Sequence, residues 1–194
     1  MVEVISKMRS YLEGFNILTS EDIDLFEQKV TQKKIKKGDF YIKEGQVCKE
    51  VSFVTSGLFR SFYHSSTEEE VTYCFIFSNT FVSAYSSFLL QNKTAENVQA
   101  LTDVELLTIS REDILKLEEL SINWLKFLKV IAEQEYIKLE KRVFLLQRET
   151  AEQRYRDLLT NQPELLQLIP LTYLSSYLGI TQRHLSRIRK SISN

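Results

Sequence analysis

In the stretch LTYLSSYLGITQRHLSRIRK, Leu171 to Lys190, apolar residues fall at Leu174, Leu178, Ile180, Leu185 and Ile188. Small Ser175 follows the first of them, and Gly179 lies between two potential helices. Two short helices crossing at a steep angle need this arrangement: a small residue where they touch, a glycine free to take positive φ, and an apolar seam that closes the angle. The stretch therefore predicts a helix-turn-helix. Thr181 is placed to cap the second helix, which leaves Gln182, Arg183, Ser186, Arg187 and Lys190 on the face turned away from the seam. Such a face suits phosphates and base edges. A solvated amphipathic hairpin is the alternative that the pattern alone leaves open.

Charge bears on that choice. The whole chain carries a formal net charge of -1, which gives no global sign of a polyanionic partner. After Glu164, however, no acidic residue occurs, while Arg183, Arg187, Arg189 and Lys190 crowd the final residues. Attraction to phosphate is thus concentrated on one element. A second basic run, Lys33, Lys34, Lys36 and Lys37, is interrupted by Ile35 and precedes a Gly-Asp turn, as a solvated strand edge would.

The chain has 194 residues, 43% of them hydrophobic, enough for one large or two small packed domains. Two prolines and five glycines, without low-complexity runs, argue against a long flexible linker. The opening residues MVEVISKMRSYLEGF lack a continuous apolar core and a small-residue cleavage site, and no stretch approaches the length of a membrane span. A cytoplasmic protein without membrane association is expected. Cys48 and Cys74 are too few for a disulfide framework or a four-thiolate cluster, and read as core thiols.

Taken in order, Thr19 and Asp22 form a capping-box-like helix start ahead of Ile23, Leu25, Phe26 and Val30. From Gly38 the apolar period becomes two, with turns at Lys37-Gly38-Asp39, Glu44-Gly45-Gln46, Ser56-Gly57 and Ser65 to Glu70. Five or more short strands follow, from Val51 to Leu106, and predict an antiparallel roll of jelly-roll type. Phe81 to Lys93 breaks the alternation and is expected to cross the roll as a short helix or loop. Ser110 begins another helix. A further helical pattern then runs from near Ser121 to about Arg148, about 42 Å of helix. Leu125, Leu128, Ala132, Leu139 and Leu146 sit on it at coiled-coil spacing. Trp124, Phe127, Val130, Ile131, Ile137, Val143 and Phe144 lie off that seam, more apolar surface than one contact can bury. The simplest solution is packing on the chain's own roll and on a second copy; a core helix in a monomer is the alternative. Ala151 to Thr160 forms one more helix, and Pro163 and Pro170 set off Leu165 to Ile169 as a separate short turn. With four residues after Lys190, a β-hairpin wing is not expected.

The fold class expected is therefore α+β. It divides into a β-roll sensor at 1–120, a long dimerisation helix at 121–149 and a helix-turn-helix domain at 150–194.

This order of parts resembles the Crp/Fnr family of bacterial transcription regulators. Three segments carry the resemblance: Lys37-Gly38-Asp39 through Glu44-Gly45 to Gly57-Leu58-Phe59-Arg60, Val82 to Ala100, and Leu171 to Lys190. Ala151-Glu-Gln-Arg154-Tyr155 and Leu185-Ser-Arg-Ile-Arg189-Lys190 look most like the compact branch found in Bacteroidetes, which ends without a full wing. The resemblance implies a homodimer whose second helices enter successive major grooves, about 34 Å apart, on a two-fold-related DNA site. It also implies RNA polymerase as a partner.

The departures matter as much. Nucleotide-binding relatives place Gly-Glu in the cassette and Arg-Ser about ten residues later, to hold the ribose hydroxyl and the cyclic phosphate. Laid without gaps on this chain, those positions are Ser83, Ala84, Thr94 and Ala95. Losing three polar anchors removes on the order of 4 to 8 kcal/mol, enough to abolish a micromolar site, so no response to cyclic AMP is expected. Neighbouring Lys93 offers a charge without the planar fork of arginine. The aromatic cassette Phe81, Tyr85, Phe88 and Leu89 leaves room for an unidentified small-molecule effector, or simply fills a core.

No cofactor or metal is expected: His64 and His184 are too few and too separated in the chain for a cupin-like site. No nucleophilic triad or phosphate-binding glycine loop is present, so no catalytic residue is assigned and an enzyme is not expected. On the DNA reading, Arg183 and Arg187 are base readers, Gln182 reads adenine, and Thr181, Arg189 and Lys190 hold phosphates, with Ser186 on the same face. A roll whose helical tail binds protein is the competing expectation.

Overall fold

Short runs rich in apolar and β-branched residues, with turns at Gly38, Gly45 and Gly57, build short strands that neighbouring strands pair edge to edge, and β-strand centres such as Phe53–Val54 and Leu106–Leu107 are buried on successive positions. They are β1 (Thr31–Ile35), β2 (Phe40–Ile42), β3 (Glu50–Ser56), β4 (Leu58–His64), β5 (Glu70–Phe77), β6 (Thr80–Val82), β7 (Asn97–Ala100) and β8 (Val104–Ser110). In the computed structural model of the chain, which describes residues 2–161 and 163–193 with side chains at 4–161, 163 and 166–192, they form two four-stranded sheets. The orders are β1-β8-β3-β6 and β2-β7-β4-β5. Pairing is antiparallel, with Phe53 opposite Leu107 and Phe81, and Ser61 opposite Val98. The expected antiparallel roll is present, with a more complete set of strands than the apolar alternation alone disclosed.

The helices are α1 (Val2–Glu13), α2 (Ser20–Glu27), α3 (Tyr85–Leu90), α4 (Arg111–Leu120), α5 (Ile122–Arg148), α6 (Ala151–Asn161), α7 (Pro163–Leu168), α8 (Leu171–Tyr177) and α9 (Gln182–Ser193). The side chain of Leu165, within the short turn expected between the prolines, lies outside the described residues. The chain divides into two compact units, one of 1–63 with 74–132 and one of 64–73 with 133–194.

In the first unit α1 contributes Met8 and Leu12, both fully buried. The apolar residues of α1, Val4, Ile5, Met8 and Leu12, recur at helical spacing and pack on the roll. α2 starts with the capping box expected from Thr19 and Asp22: each accepts from the other's backbone N–H. Asp22 also accepts from Asn123 Nδ2 at 2.9 Å, which ties α5 to α2. Burial pushes the Asp22 carboxyl up, but the hydrogen bonds from Asn123, Thr19 and Ser121 outweigh it, so the group stays below its ordinary range. Trp124 and Phe127 of α5 enter this core, Trp124 stacked on Phe26 at 5.1 Å and Phe127 edge-on to Phe15 at 5.2 Å.

In the second unit, Tyr155 and Leu158 of α6 are buried, as are Ile169 and, from α8 and α9, Leu174, Leu185 and Ile188. Arg154 donates from Nη1 to the carbonyls of Leu146 and Glu149, closing the last turn of α5 where carbonyls lack helical partners.

Candidate nucleic-acid interface

Leu174, Leu178, Leu185 and Ile188 form the buried seam between α8 and α9, and Ser175 lies beneath it with its hydroxyl turned back onto the Thr172 carbonyl. Gly179 sits at φ +67, in the left-handed region that a residue with a Cβ reaches only with strain. Thr181 caps α9: its Oγ1 accepts from the His184 N–H at 3.2 Å. Each local feature of the turn thus has the role that its residue type suggested.

Arg183, Ser186, Arg187 and Lys190 are all exposed, at helical spacings of three and four along one face of α9. Thr181, Gln182 and Arg189 are exposed too, although Gln182 donates its side-chain amide to Thr172 Oγ1 and Arg189 lies off the stripe by spacing. His184 is half-buried. The face offers two planar guanidinium forks one turn apart, with an ammonium at its end and no carboxylate on α8 or α9 to neutralise them.

Two side chains of α5 position this unit: Arg142, which the sequence did not single out, and Leu146, which spacing placed on the coiled-coil seam. The Arg142 guanidinium of α5 lies 3.9 Å from the centre of the Tyr177 ring, and its Nη2 donates to the Tyr177 carbonyl at 2.7 Å. Leu146, one turn further along α5, approaches Gly179 so that a Cβ there would sit 3.6 Å from Leu146 Cδ2. No spacing rule would have selected Arg142, because its partner lies far off in sequence.

In the first unit, the segment matching the nucleotide cassette spends its polar groups on backbone atoms, mostly of Cys48 and Glu50. Ser83 donates to the Glu50 carbonyl, Ser87 accepts from the Cys48 N–H, and Gln91 donates to the carbonyls of Cys48 and Phe88. Ala84 is fully buried, Thr94 is buried with its hydroxyl on the Glu96 N–H, and Ala95 is exposed. Phe88 is buried beneath Tyr85, whereas Leu89 is exposed, so these residues do not form a closed apolar chamber. Next to Thr94 and Ala95 stands Glu96, which accepts from the Ser61 hydroxyl. Burial raises its carboxyl above the usual range, and the Ser61 hydrogen bond only partly offsets that.

Three lysines of the run in and just after β1 meet carboxylates. Lys33 pairs with Glu50 at 2.7 Å, Lys34 with Glu105 at 2.6 Å and Lys36 with Asp103 at 3.4 Å. Among the described residues no cluster of histidine, cysteine, aspartate and glutamate could hold a metal ion.

Residues 32–119 match the cyclic nucleotide-binding domain family. No curated protein matches the chain. Solved structures extend the likeness over nearly its whole length. FixK2 from Bradyrhizobium japonicum is 18% identical with a TM-score of 0.72, covering 84% of each chain. A regulator of the crp/fnr family from Eubacterium rectale is 16% identical with a TM-score of 0.73, covering 95% of this chain and 88% of its own. The c-di-GMP responsive global regulator CLP of Xanthomonas campestris is 17% identical with a TM-score of 0.71, covering 90% and 92%. The chain has the Crp/Fnr fold.

Within the Crp/Fnr fold, the long helix α5 has 27 residues but buries only Trp124 and Phe127 completely. Leu128 and Ile131 pack partly against the roll core, so Leu128 leaves the seam assigned to it from spacing. The others stay outward: Leu125, Leu139 and Leu146 are exposed and Ala132 is half-buried. Ile122, Tyr136 and Val143 are exposed at the alternate positions of the same three-four repeat. With Tyr136 at 65% and Leu139 at 44% exposure, an apolar stripe runs along the helix. Coiled-coil spacing marks one half of that repeat in the sequence; Lys129 interrupts the other.

Proposed function

We propose that this chain is a sequence-specific DNA-binding transcriptional regulator that acts as a homodimer. The observation that carries the reading is the exposed stripe Arg183, Ser186, Arg187 and Lys190 on the second helix of a well-formed helix-turn-helix. Arg183 and Arg187 read guanine through paired donors to O6 and N7, each good pair discriminating by roughly 1 to 3 kcal/mol. Gln182 exchanges Thr172 for an adenine edge. Thr181, Arg189 and Lys190 hold phosphates and set register.

The apolar stripe Leu125, Ala132, Leu139 and Leu146, with Ile122, Tyr136 and Val143 between them, is the surface for a second copy, as a two-stranded seam requires. A two-fold pairing places two α9 helices on a two-fold-related site. We assign 1–120 to the sensor roll, 121–149 to dimerisation and 150–194 to DNA reading, with RNA polymerase as the further partner and the cytoplasm as the compartment. No described helix is long and apolar enough to cross a membrane.

The roll does not answer to cyclic AMP on this reading. Ser83, Ala84, Thr94 and Ala95 lack the carboxylate and guanidinium that would hold ribose and phosphate, and Glu96 adds an acidic group beside the phosphate position. Any effector is therefore of another chemical class.

Selection from random DNA with purified protein tests the proposal. A palindromic consensus, bound with an affinity that falls log-linearly with salt, is the expected outcome. Failure to enrich any sequence, or binding indifferent to salt, would refute it in favour of a helical tail that contacts protein.

A further inference from the structure

The end of α8 is held by a contact that base reading does not itself require. β5 is the terminal strand of its sheet. In an extended strand the C=O of one residue and the N–H of the second residue after it project from the same edge, where a single residue of a parallel neighbour would meet both. Here one serine hydroxyl does so. The Thr72 N–H donates to Ser176 Oγ at 2.8 Å, and Ser176 Oγ donates to the Glu70 carbonyl at 3.0 Å. The hydroxyl, with one donor and two acceptor positions, is suited to that double task, whereas serine is a mediocre helix former with little other reason to occupy the last turn of α8. The next residue, Tyr177, is the one clamped by Arg142. The last turn of α8 is thus anchored by the hairpin tip 64–73 as well as by α5, all within the second unit. The arginine stripe of α9 remains exposed.

We propose that Ser176 is a positioning residue for DNA recognition: the strand edge at Glu70 and Thr72 fixes, through this one hydroxyl, the orientation in which α8 presents α9. The role rests on the DNA-binding reading above. A reader already held in one orientation loses less conformational freedom on binding than one that rocks about its connection to α5. The hairpin tip thereby becomes a handle on DNA affinity without touching DNA.

The test uses the full-length protein, amide hydrogen exchange and a DNA site from the random selection. Ser176→Ala should speed exchange at the Thr72 amide by about tenfold, leave the buried Leu185 amide unchanged, and weaken DNA binding by about three- to tenfold. Ser176→Thr, which keeps the hydroxyl, should restore both readouts. Unchanged exchange at Thr72 overturns the contact. Faster exchange with unaltered or tighter DNA binding overturns the positioning role, as does a threonine variant that behaves like alanine. A wild-type protein that selects no DNA overturns the reading beneath the proposal and the role with it, and the Thr72 exchange then separates that failure from a failure of the contact.

Discussion

Arg142 covers the face of the Tyr177 ring at 3.9 Å and donates to the carbonyl of the same residue at 2.7 Å. One guanidinium thus serves an aromatic face and a helix-end acceptor at once, a combination that a lysine cannot reproduce. Arg142→Ala should lower the stability of the second unit by about 1 to 3 kcal/mol, and Arg142→Lys by less. Amide exchange across Leu171–Tyr177 measures it, and unchanged protection in the alanine variant would remove Arg142 from the docking of α8.

The arginines of α9 and its terminal lysine should behave differently on DNA. Arg183→Ala is expected to flatten sequence preference at one base position by about 1 to 3 kcal/mol. Lys190→Ala should weaken all sequences about equally and reduce the salt dependence by about one counterion. Competition between the selected site and its single-base variants, at several salt concentrations, distinguishes the two patterns. Wild-type binding by both variants would show that α9 does not lie in the groove.

A charge placed in the apolar stripe of α5 should separate two copies. Leu139→Glu sets two carboxylates against each other where the two-stranded seam would close, so analytical ultracentrifugation should show a monomer. Affinity for a two-fold site should fall by about a hundredfold or more, since each half-site then binds alone. A variant that sediments as the wild-type dimer would move the interface to another surface.

Glu96 gives a pH signature with a defined sign. Its folded-state carboxyl is raised by burial, so protonation favours the folded chain. The stability it contributes is full below the unfolded carboxyl range and is lost as pH rises through the raised value. Asp22, Asp103, Glu105 and Asp113 are lowered and act in the opposite sense, losing their contribution as pH falls. The informative quantity is therefore the difference between wild type and Glu96→Gln. The glutamine variant should be the more stable at neutral pH, with the gap closing as the solution is acidified. The single tryptophan, Trp124, is buried in the first unit and reports its unfolding by fluorescence.

Gly57 is a fixed point of the roll. It sits at φ +96, and a Cβ added there would lie 2.5 Å from the Asp103 carbonyl oxygen and 2.9 Å from Val104 Cα. These two atoms are backbone and cannot rotate away, and the Val104 Cγ2 side-chain atom also lies at 2.9 Å. Gly57→Ala should cost about 2 to 4 kcal/mol in denaturant unfolding followed through Trp124, and a cost below about 0.5 kcal/mol would contradict this packing.

Parts of the fold whose causes are local can be read directly along the chain. Period-two alternation from Gly38, the capping residues Thr19, Ser110 and Thr181, the left-handed glycine at 179 and the seam at Leu174, Leu178, Leu185 and Ile188 each depend on neighbours within a few residues. Propensity, capping and hydrophobic periodicity act over that range. What distant residues do to one another emerges only once the chain has folded. Leu128 and Leu139 carry the same side chain at coiled-coil spacing on one helix, yet the first packs on the roll and the second stays exposed, because apolar periodicity signals burial without naming the surface that buries. Four basic residues look equally free in the run from Lys33 to Lys37, yet Lys33, Lys34 and Lys36 meet carboxylates brought from Glu50, Glu105 and Asp103 by strand pairing. The contacts that position the reader, Arg142 on Tyr177 and Ser176 on the strand edge at Thr72, join residues 35 and 104 apart in the chain. Their energies exist only once the chain has folded back on itself, so no window along the sequence contains them.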